Sequence, residues 1–291
     1  MKILIIGANG QLGRDCQEVL GKEHTVFAKD LPELDATKRE QVLPLMEGLR
    51  PDVVLNCAAF TRVDDCETQK DLAYAINSKI PFVLALLAKK FGAHLIHIST
   101  DYVFDGKKYP YSSYVETDET RPLSVYGESK LAGEHAVEVS EVKHAILRTA
   151  WLYGRHGKNF PKAILRKALQ NQEISVVNDQ YGSPTWSYRL AEQIKAVVEW
   201  KLEGTFHTTG DGFTTWFDFA SLFLKEIDIP HSINPCSTEE YPTPARRPKN
   251  SILDNRNLKG IGLNFMGSWE DGVKAFVVKH RTELIEECKH K

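Results

Sequence analysis

No charge of either sign dominates this chain of 291 residues: 37 lysines and arginines face 39 aspartates and glutamates, a formal net charge of −2. That balance argues against nucleic acid or an anionic membrane as the main partner, while leaving room for a local basic pocket. Cysteine is scarce. Cys16, Cys57, Cys66, Cys236 and Cys288 are scattered, odd in number and free of any Cys-x-x-Cys pair, so they read as reduced thiols of a cytosolic protein, not a disulfide framework. The ten histidines show no ligand spacing, and Glu286-Glu287-Cys288-Lys289-His290 reads as a frayed tail, so no metal site is indicated. Long apolar runs are missing too. No stretch approaches the ~20 residues of a membrane helix, and the opening Ile3-Leu4-Ile5-Ile6 reaches Gly7 too soon for a signal peptide. There is no internal repeat and no low-complexity tract. What remains, 42% apolar and 26% charged, is an ordinary globular composition, long enough for one large domain or two smaller ones.

Short β-branched or leucine-rich runs alternate with amphipathic segments in the first half. Ile3 to Ile6, Thr25 to Ala28, Val53 to Asn56, Leu95 to Ser99 and Ala145 to Thr149 read as buried strands. Gln11 to Leu20, Glu40 to Leu49 and Leu72 to Lys90 read as helices, the last divided or kinked at Pro81. This alternation predicts an α/β fold with a doubly wound parallel Rossmann sheet, covered on both faces. After about Trp151 the rhythm changes. Helices are expected over Phe160 to Leu169, Arg189 to Trp200 and Trp216 to Ile227, strands over Ile174 to Val177 and Phe206 to Thr208, then irregular chain rich in proline from Tyr241 to Pro248. The expected division is a dinucleotide-binding Rossmann domain from 1–150 plus about 184–210, and a smaller α/β substrate-binding lobe from about 151–183 plus 211–291. Trp200, Trp216 and Trp269 fall on helical patterns and read as core anchors.

The first strand runs straight into Gly7-Ala8-Asn9-Gly10-Gln11-Leu12-Gly13 and then a helix. Strand, glycine-rich turn and helix N-terminus form the context in which backbone amides hold a dinucleotide pyrophosphate, although the spacing here is G-x-x-G-x-x-G. Asp30 follows the second strand, where a carboxylate bonds the adenosine ribose and favours the non-phosphorylated cofactor. Lys29 beside it, and Arg62 after a later strand, suit a 2′-phosphate instead, so the residues leave NADPH and NADH both open. Asp35 reads first as a cap for the next helix, with a contact to adenine as the alternative. The small residues of Asn56-Cys57-Ala58-Ala59-Phe60-Thr61 allow close approach to a flat cofactor and equally suit sheet–helix packing. Ser99-Thr100-Asp101-Tyr102 ends the fourth strand, on the side where such sheets bind ligands. Tyr126 and Lys130 lie four residues apart among helix formers and share one helix face. The ammonium is expected to lower the pKa of the phenol and make Tyr126 a general acid or base. Alone, a Tyr-x-x-x-Lys pair arises about once by chance in such a chain.

As a set, Gly7-x-x-Gly10-x-x-Gly13, Asn56-x-Ala58-Ala59, Asn77, Ser99-Thr100-Asp101 and Tyr126-x-x-x-Lys130 resemble the extended short-chain dehydrogenase/reductases, which act on nucleotide sugars. Longer stretches carry the likeness over essentially the whole chain: Val125 to Glu134, Arg148-Thr149-Ala150-Trp151-Leu152-Tyr153-Gly154, and Tyr241 to Ser251. The resemblance implies Tyr126 as proton donor, Lys130 as holder of the nicotinamide ribose, and Thr100 as a hydrogen-bond partner of the reacting oxygen. It implies Gly7, Asn9, Gly10, Gln11, Leu12, Gly13, Asp30, Asp35, Ala58, Ala59, Thr61, Asn77, Tyr126 and Lys130 around a cofactor, NADPH by preference or NADH. It implies Thr100, Asp101, Tyr102, Trp151, Arg246 and Arg247 around the substrate. The two arginines suit a diphosphate, being planar, always charged and able to bind in pairs.

Tyr102 stands where the related 4,6-dehydratases carry Glu after Asp, and neither His nor Cys accompanies Ser99-Thr100 as in reductases that also epimerise. The implied reaction is therefore reduction of a dTDP-linked 6-deoxy-4-keto hexose, dTDP-4-dehydro-L-rhamnose giving dTDP-L-rhamnose, in a bacterial cytoplasm. Another nucleotide-sugar reductase or epimerase, or a non-catalytic nucleotide-binding regulatory subunit, stands as the alternative. A homodimer stays open, and the sequence indicates no divalent ion.

Overall fold

A strand covered on both faces needs apolar side chains at every position, and the runs that read as strands meet that demand. The computed structural model describes residues 1–109 and 111–289. It contains β1 (Lys2–Ile6), α1 (Gln11–Leu20), β2 (Thr25–Lys29), α2 (Arg39–Leu49), β3 (Val53–Asn56), α3 (Val63–Thr68), α4 (Lys70–Tyr74), α5 (Ile80–Phe91), β4 (His94–Thr100), α6 (Val125–Val139) and β5 (His144–Thr149). Beyond these come β6 (Leu152–Tyr153), α7 (Phe160–Leu169), β7 (Ser175–Val177), β8 (Tyr181–Gly182), β9 (Thr185–Trp186), α8 (Ser187–Trp200) and β10 (Gly204–His207). The chain then forms β11 (Thr214–Thr215), α9 (Trp216–Glu226), β12 (Asn234–Cys236), α10 (Arg256–Gly260) and α11 (Trp269–Lys289).

The main sheet has six strands in the order β10-β5-β4-β3-β1-β2. All its pairings are parallel, including β10, which returns from the later chain to lie beside β5. The direction of winding reverses between β1 and β3, so the loops leaving these strands diverge and open a crevice at their carboxyl ends. Side chains alternate between two cores. On one face Ile3, Ile5, Leu55, Ile96 and Leu147 pack with Leu12 and Cys16 of α1 and Leu190, Ile194 and Val197 of α8. On the other, Leu4, Ile6, Val54 and Ile146 pack with Val42 and Met46 of α2 and Val83, Leu84 and Leu87 of α5. Each fully buried aliphatic side chain stabilises by about 1.5–3 kcal/mol, so two-sided burial fixes the sheet more firmly than strand propensity does. The smaller lobe is held by aromatics, with Tyr153, Trp186, Phe219, Phe223, Trp269 and Phe276 in one cluster.

The helix expected over Leu72 to Lys90 is divided next to Pro81: α4 and α5 are separated by Ala75–Lys79, which widens to π geometry, and Pro81 sits in the first turn of α5. Pro has no N–H to donate back along the helix, which favours such an irregularity. Three other sequence expectations need correction. Lys70–Phe91 as a whole spans 22 residues and is long and apolar enough for a membrane span, and half of its most apolar stretch is buried inside this fold. The tail read as frayed is the last turn of α11: Cys288 is buried, and Glu287 accepts the Lys162 ammonium at 2.8 Å. His290 lies outside the described residues. Trp200, at the end of α8, is 65% exposed and anchors no core, unlike Trp269.

Candidate active site

The carboxyl ends of β1, β3, β4 and β5 open onto a cavity of about 630 Å³. It brings together Gly10, Gln11, Leu12 and Gly13 after β1, Ala59 and Thr61 after β3, Thr100, Asp101 and Tyr102 at the end of β4, Tyr126 and Lys130 of α6, and Trp151 after β5.

The glycine turn fits a dinucleotide. Gly7 has φ +79°, and a Cβ at Gly13 would lie 2.3 Å from the Gly7 carbonyl oxygen, so only glycine lets α1 start this close to β1. Gly10 precedes α1 without a side-chain cap, and the first turn holds no acidic residue. Free N–H groups and the positive end of the helix therefore face the cavity, as a diphosphate requires.

The other expected cofactor residues do not line this cavity. The Asp30 carboxylate accepts the backbone N–H groups of Asn9 and Leu31, each at 2.8 Å, and so ties the glycine turn to the end of β2. Asp35 accepts the Thr37 N–H at 3.1 Å and hydroxyl at 2.6 Å, closing the turn that leads into α2 without capping that helix. The Ala58 N–H donates to the Asn56 side chain at 3.1 Å. Asn77 is fully buried: its amide donates to the Phe60 carbonyl at 3.2 Å and Ser129 Oγ at 3.0 Å, and its oxygen accepts the Phe60 N–H at 2.8 Å. With those atoms engaged, Asn77 is a brace under the cavity, not part of its wall. Of the two cations suited to a 2′-phosphate, Arg62 lines the cavity, stacked over Phe60 and paired with Asp65 at 3.1 Å. Lys29 instead pairs with Glu33 at 3.0 Å.

Ser124 caps α6 by accepting the Gly127 N–H at 3.2 Å, and the helix carries Tyr126 and Lys130 on one face of its first turns. Tyr126 lies beside Thr100 in the cavity wall. The Thr100 hydroxyl donates to Asp101 at 2.9 Å and accepts the Tyr102 N–H at 3.2 Å. Lys130 Nζ donates to the Ile98 carbonyl at 2.5 Å. The expected lowering of the Tyr126 pKa by Lys130 is not found. Burial pushes the phenol well above its ordinary value, the Thr100 hydroxyl offsets only part of this, and the Asp101 carboxylate adds to the rise. Burial also draws Lys130 down to about 8, against the opposing pull of Glu134. Spacing in a sequence reveals a neighbour but not the loss of water, and here loss of water wins for both groups. Tyr126 accordingly keeps its proton at neutral pH. Asp101 is raised by burial to about 6, and its Oδ2 has no hydrogen-bond partner among the described residues.

Trp151 adopts φ +46°, a backbone state that bulky residues rarely hold. Its ring stacks on Trp216, with centroids 3.6 Å apart and planes 7° off parallel. Both rings line the cavity, so Trp216 belongs to the site and not only to the core, and Lys158 joins them in the wall. Neither was legible beforehand: a tryptophan opening a helix suits core and pocket alike, and Lys158 follows an unremarkable Gly157. Arg247 holds Asp64 through two bonds of 3.1 and 2.9 Å, Arg246 is exposed, and neither is in the cavity wall.

Known proteins share this architecture. Residues 1–282 match the family described as RmlD substrate binding domain. The dTDP-4-dehydrorhamnose reductase of Escherichia coli K12 is 38% identical over 289 residues, covering 94% of this chain and 96% of that protein. The crystal structure of a dTDP-4-dehydrorhamnose reductase from Clostridium acetobutylicum is similar at TM-score 0.93 and 44% identity, covering 96% of this chain and 99% of the other. That of Bacillus anthracis dTDP-4-dehydrorhamnose reductase, in complex with NADP, is similar at TM-score 0.92 and 40% identity, with coverage of 96% and 99%. Matched from its first residue to 282 and similar to these enzymes along almost its entire length, this chain belongs to the RmlD substrate binding domain family.

Proposed function

We propose that this chain reduces the 4-keto group of dTDP-4-dehydro-L-rhamnose, giving dTDP-L-rhamnose, with NADPH as the main reductant, in a bacterial cytoplasm. The observation that carries the proposal is one cavity in which Thr100 stands beside a half-buried Tyr126, with Lys130 one turn away and a glycine turn that fits a dinucleotide. The relatives' reductase names and the NADP bound to one of them support the substrate and the cofactor.

When bound, the cofactor supplies a hydride to the carbonyl carbon. The first turn of α1 holds the diphosphate through its free N–H groups. Tyr126 delivers its proton to the carbonyl oxygen, and Thr100 orients that oxygen beside the phenol. Lys130, one turn along α6 and tied to the Ile98 carbonyl, would hold the nicotinamide ribose beside Tyr126. Asp101, Tyr102 and the paired rings of Trp151 and Trp216 border the sugar and keep water out. Arg247, steadied by Asp64, meets the substrate's diphosphate. On this reading residues 1–150 with about 184–210 serve the cofactor, and about 151–183 with 211–291 serve the sugar. The return of β10 to the main sheet supports that division.

Tyr126→Phe removes the proton and little else. Turnover, followed as loss of NADPH absorbance with dTDP-4-dehydro-L-rhamnose, is expected to fall by roughly 10²–10⁴-fold with NADPH affinity retained. Native turnover in the variant overturns the mechanism. Cofactor binding by the native chain without turnover on any 4-keto nucleotide sugar overturns the assignment as an enzyme.

A further inference from the structure

One stripe of α6 grips the end of β4 at three points. Tyr126 lies beside Thr100, Lys130 donates to the Ile98 carbonyl, and Glu134, one turn further on, accepts the Ser99 hydroxyl. The spacing of four residues puts all three side chains on one helix face. Glu134 is 1% exposed, and Arg148 of β5 balances it with Nε at 3.0 and 3.2 Å from its two oxygens and a second guanidinium nitrogen at 2.7 Å. Ser99 and Arg148 are register partners across β4 and β5, so one carboxylate ties two strands to the helix that carries Tyr126 and Lys130. Arg148 is itself fixed, lying over the Phe104 ring at 5.3 Å.

A buried ion pair is no better for stability than apolar side chains of the same volume. Its place one turn from Lys130 gives it another use. We infer that Glu134 is a positioning residue for the proposed reduction: it sets the height of α6 against Ser99 and Thr100, and it supplies the negative charge that faces the Lys130 ammonium. This inference rests on the reductase reading above. The groups facing Lys130 are Glu134 and Tyr126 on its own helix, Cys57 at the end of β3 and His97 on β4, while Arg148 of β5 reaches it only through Glu134. Burial holds His97 neutral. Burial lowers Lys130, and Glu134 is the larger of the two groups that hold it up.

Glu134→Gln keeps an oxygen for Ser99 and removes the charge. If the Lys130 ammonium is needed for turnover, activity is lost as pH rises through its pKa near 8. Without the Glu134 charge that pKa falls, so the alkaline limb of the kcat/KM profile is expected to move down by about one pH unit. A limb at the native position, in a variant with native thermal unfolding and NADPH affinity, overturns the inference. Should Glu134→Gln not fold, Ser99→Ala tests the mechanical half: kcat is expected to fall several-fold with the limb unmoved, and a native kcat overturns it. Tyr126→Phe measured alongside separates the two ideas. If it keeps turnover, the reductase mechanism has failed; if it is inactive while Glu134→Gln keeps the native profile, only the role of Glu134 has.

Discussion

Gly182→Ala tests the tryptophan wall from behind. A methyl group on Gly182 would lie 2.3 Å from Cε2, 2.5 Å from Nε1 and 2.6 Å from Cζ2 of Trp151. Ordinary contact begins near 3.4 Å, so the ring has to retreat by 3.4 minus 2.3, or 1.1 Å. It has little room, because Trp216 is already stacked against it at 3.6 Å and the backbone of Trp151 is held at φ +46°. Overpacking of this kind destabilises by about 1–3 kcal/mol. A misplacement of about 1 Å in a group that seats a substrate costs up to roughly 100-fold in rate. We therefore expect kcat/KM for the keto sugar to drop by about 10–100-fold, with NADPH affinity unchanged because the glycine turn is untouched. The assay varies the sugar at saturating NADPH, with a cofactor titration on the same preparation. Native kcat/KM in a folded variant would show that the wall takes no part in seating the sugar, and parallel loss of NADPH binding would show that it does not serve the sugar alone.

Arg247→Ala removes a guanidinium that Asp64 holds by two bonds. A charge-assisted bond of this type is worth about 1.5–3 kcal/mol, so KM for the nucleotide sugar should rise by about 10–100-fold with kcat little changed; an unchanged KM refutes the diphosphate contact, and the exposed Arg246 provides the control. Asp15 is buried, accepts the Ser187 hydroxyl, and is raised by burial from 3.8 to about 6. The fold thus disfavours its ionised form: the associated stability is fully present below about pH 4 and is lost as pH rises through about 6. Asp15→Asn should gain on the native chain by roughly 2–3 kcal/mol between about pH 4 and pH 7 in denaturant titrations, and a difference that does not vary with pH refutes this.

The first five strands and the glycine turn were legible because short apolar runs and a turn directly after the first of them leave few alternatives. Other features depend on burial that no local pattern encodes. The phenol of Tyr126 rises because water is excluded from it, and the Tyr-x-x-x-Lys spacing cannot register that. Asn77 resembles a cofactor contact, yet Phe60 and Ser129 use its amide. The start of α11 showed as a helical pattern at Trp269, but its last turns escaped because Lys279-His280-Arg281-Thr282-Glu283 separates the buried Val277 from Leu284 and interrupts the apolar period. Trp200 misled in the opposite sense, since an aromatic ring at a helix end need not face inward.

The widened turn at Ala75–Lys79 sets the rotational phase of a long rod. Each residue of an α-helix advances the side-chain direction by about 100°, so the extra residue of a π turn redirects everything beyond it. Upstream, Ala73 points into the small cluster of Phe60, Cys66 and Val125 at the cavity rim. Downstream, Ile80, Val83, Leu84 and Leu87 point into the core under the sheet. Removing a single residue between 75 and 79 therefore amounts to a mis-timing: either Ala73 leaves the rim or Leu84 and Leu87 turn away from the core. Sequence length is as tightly constrained in this turn as residue identity is.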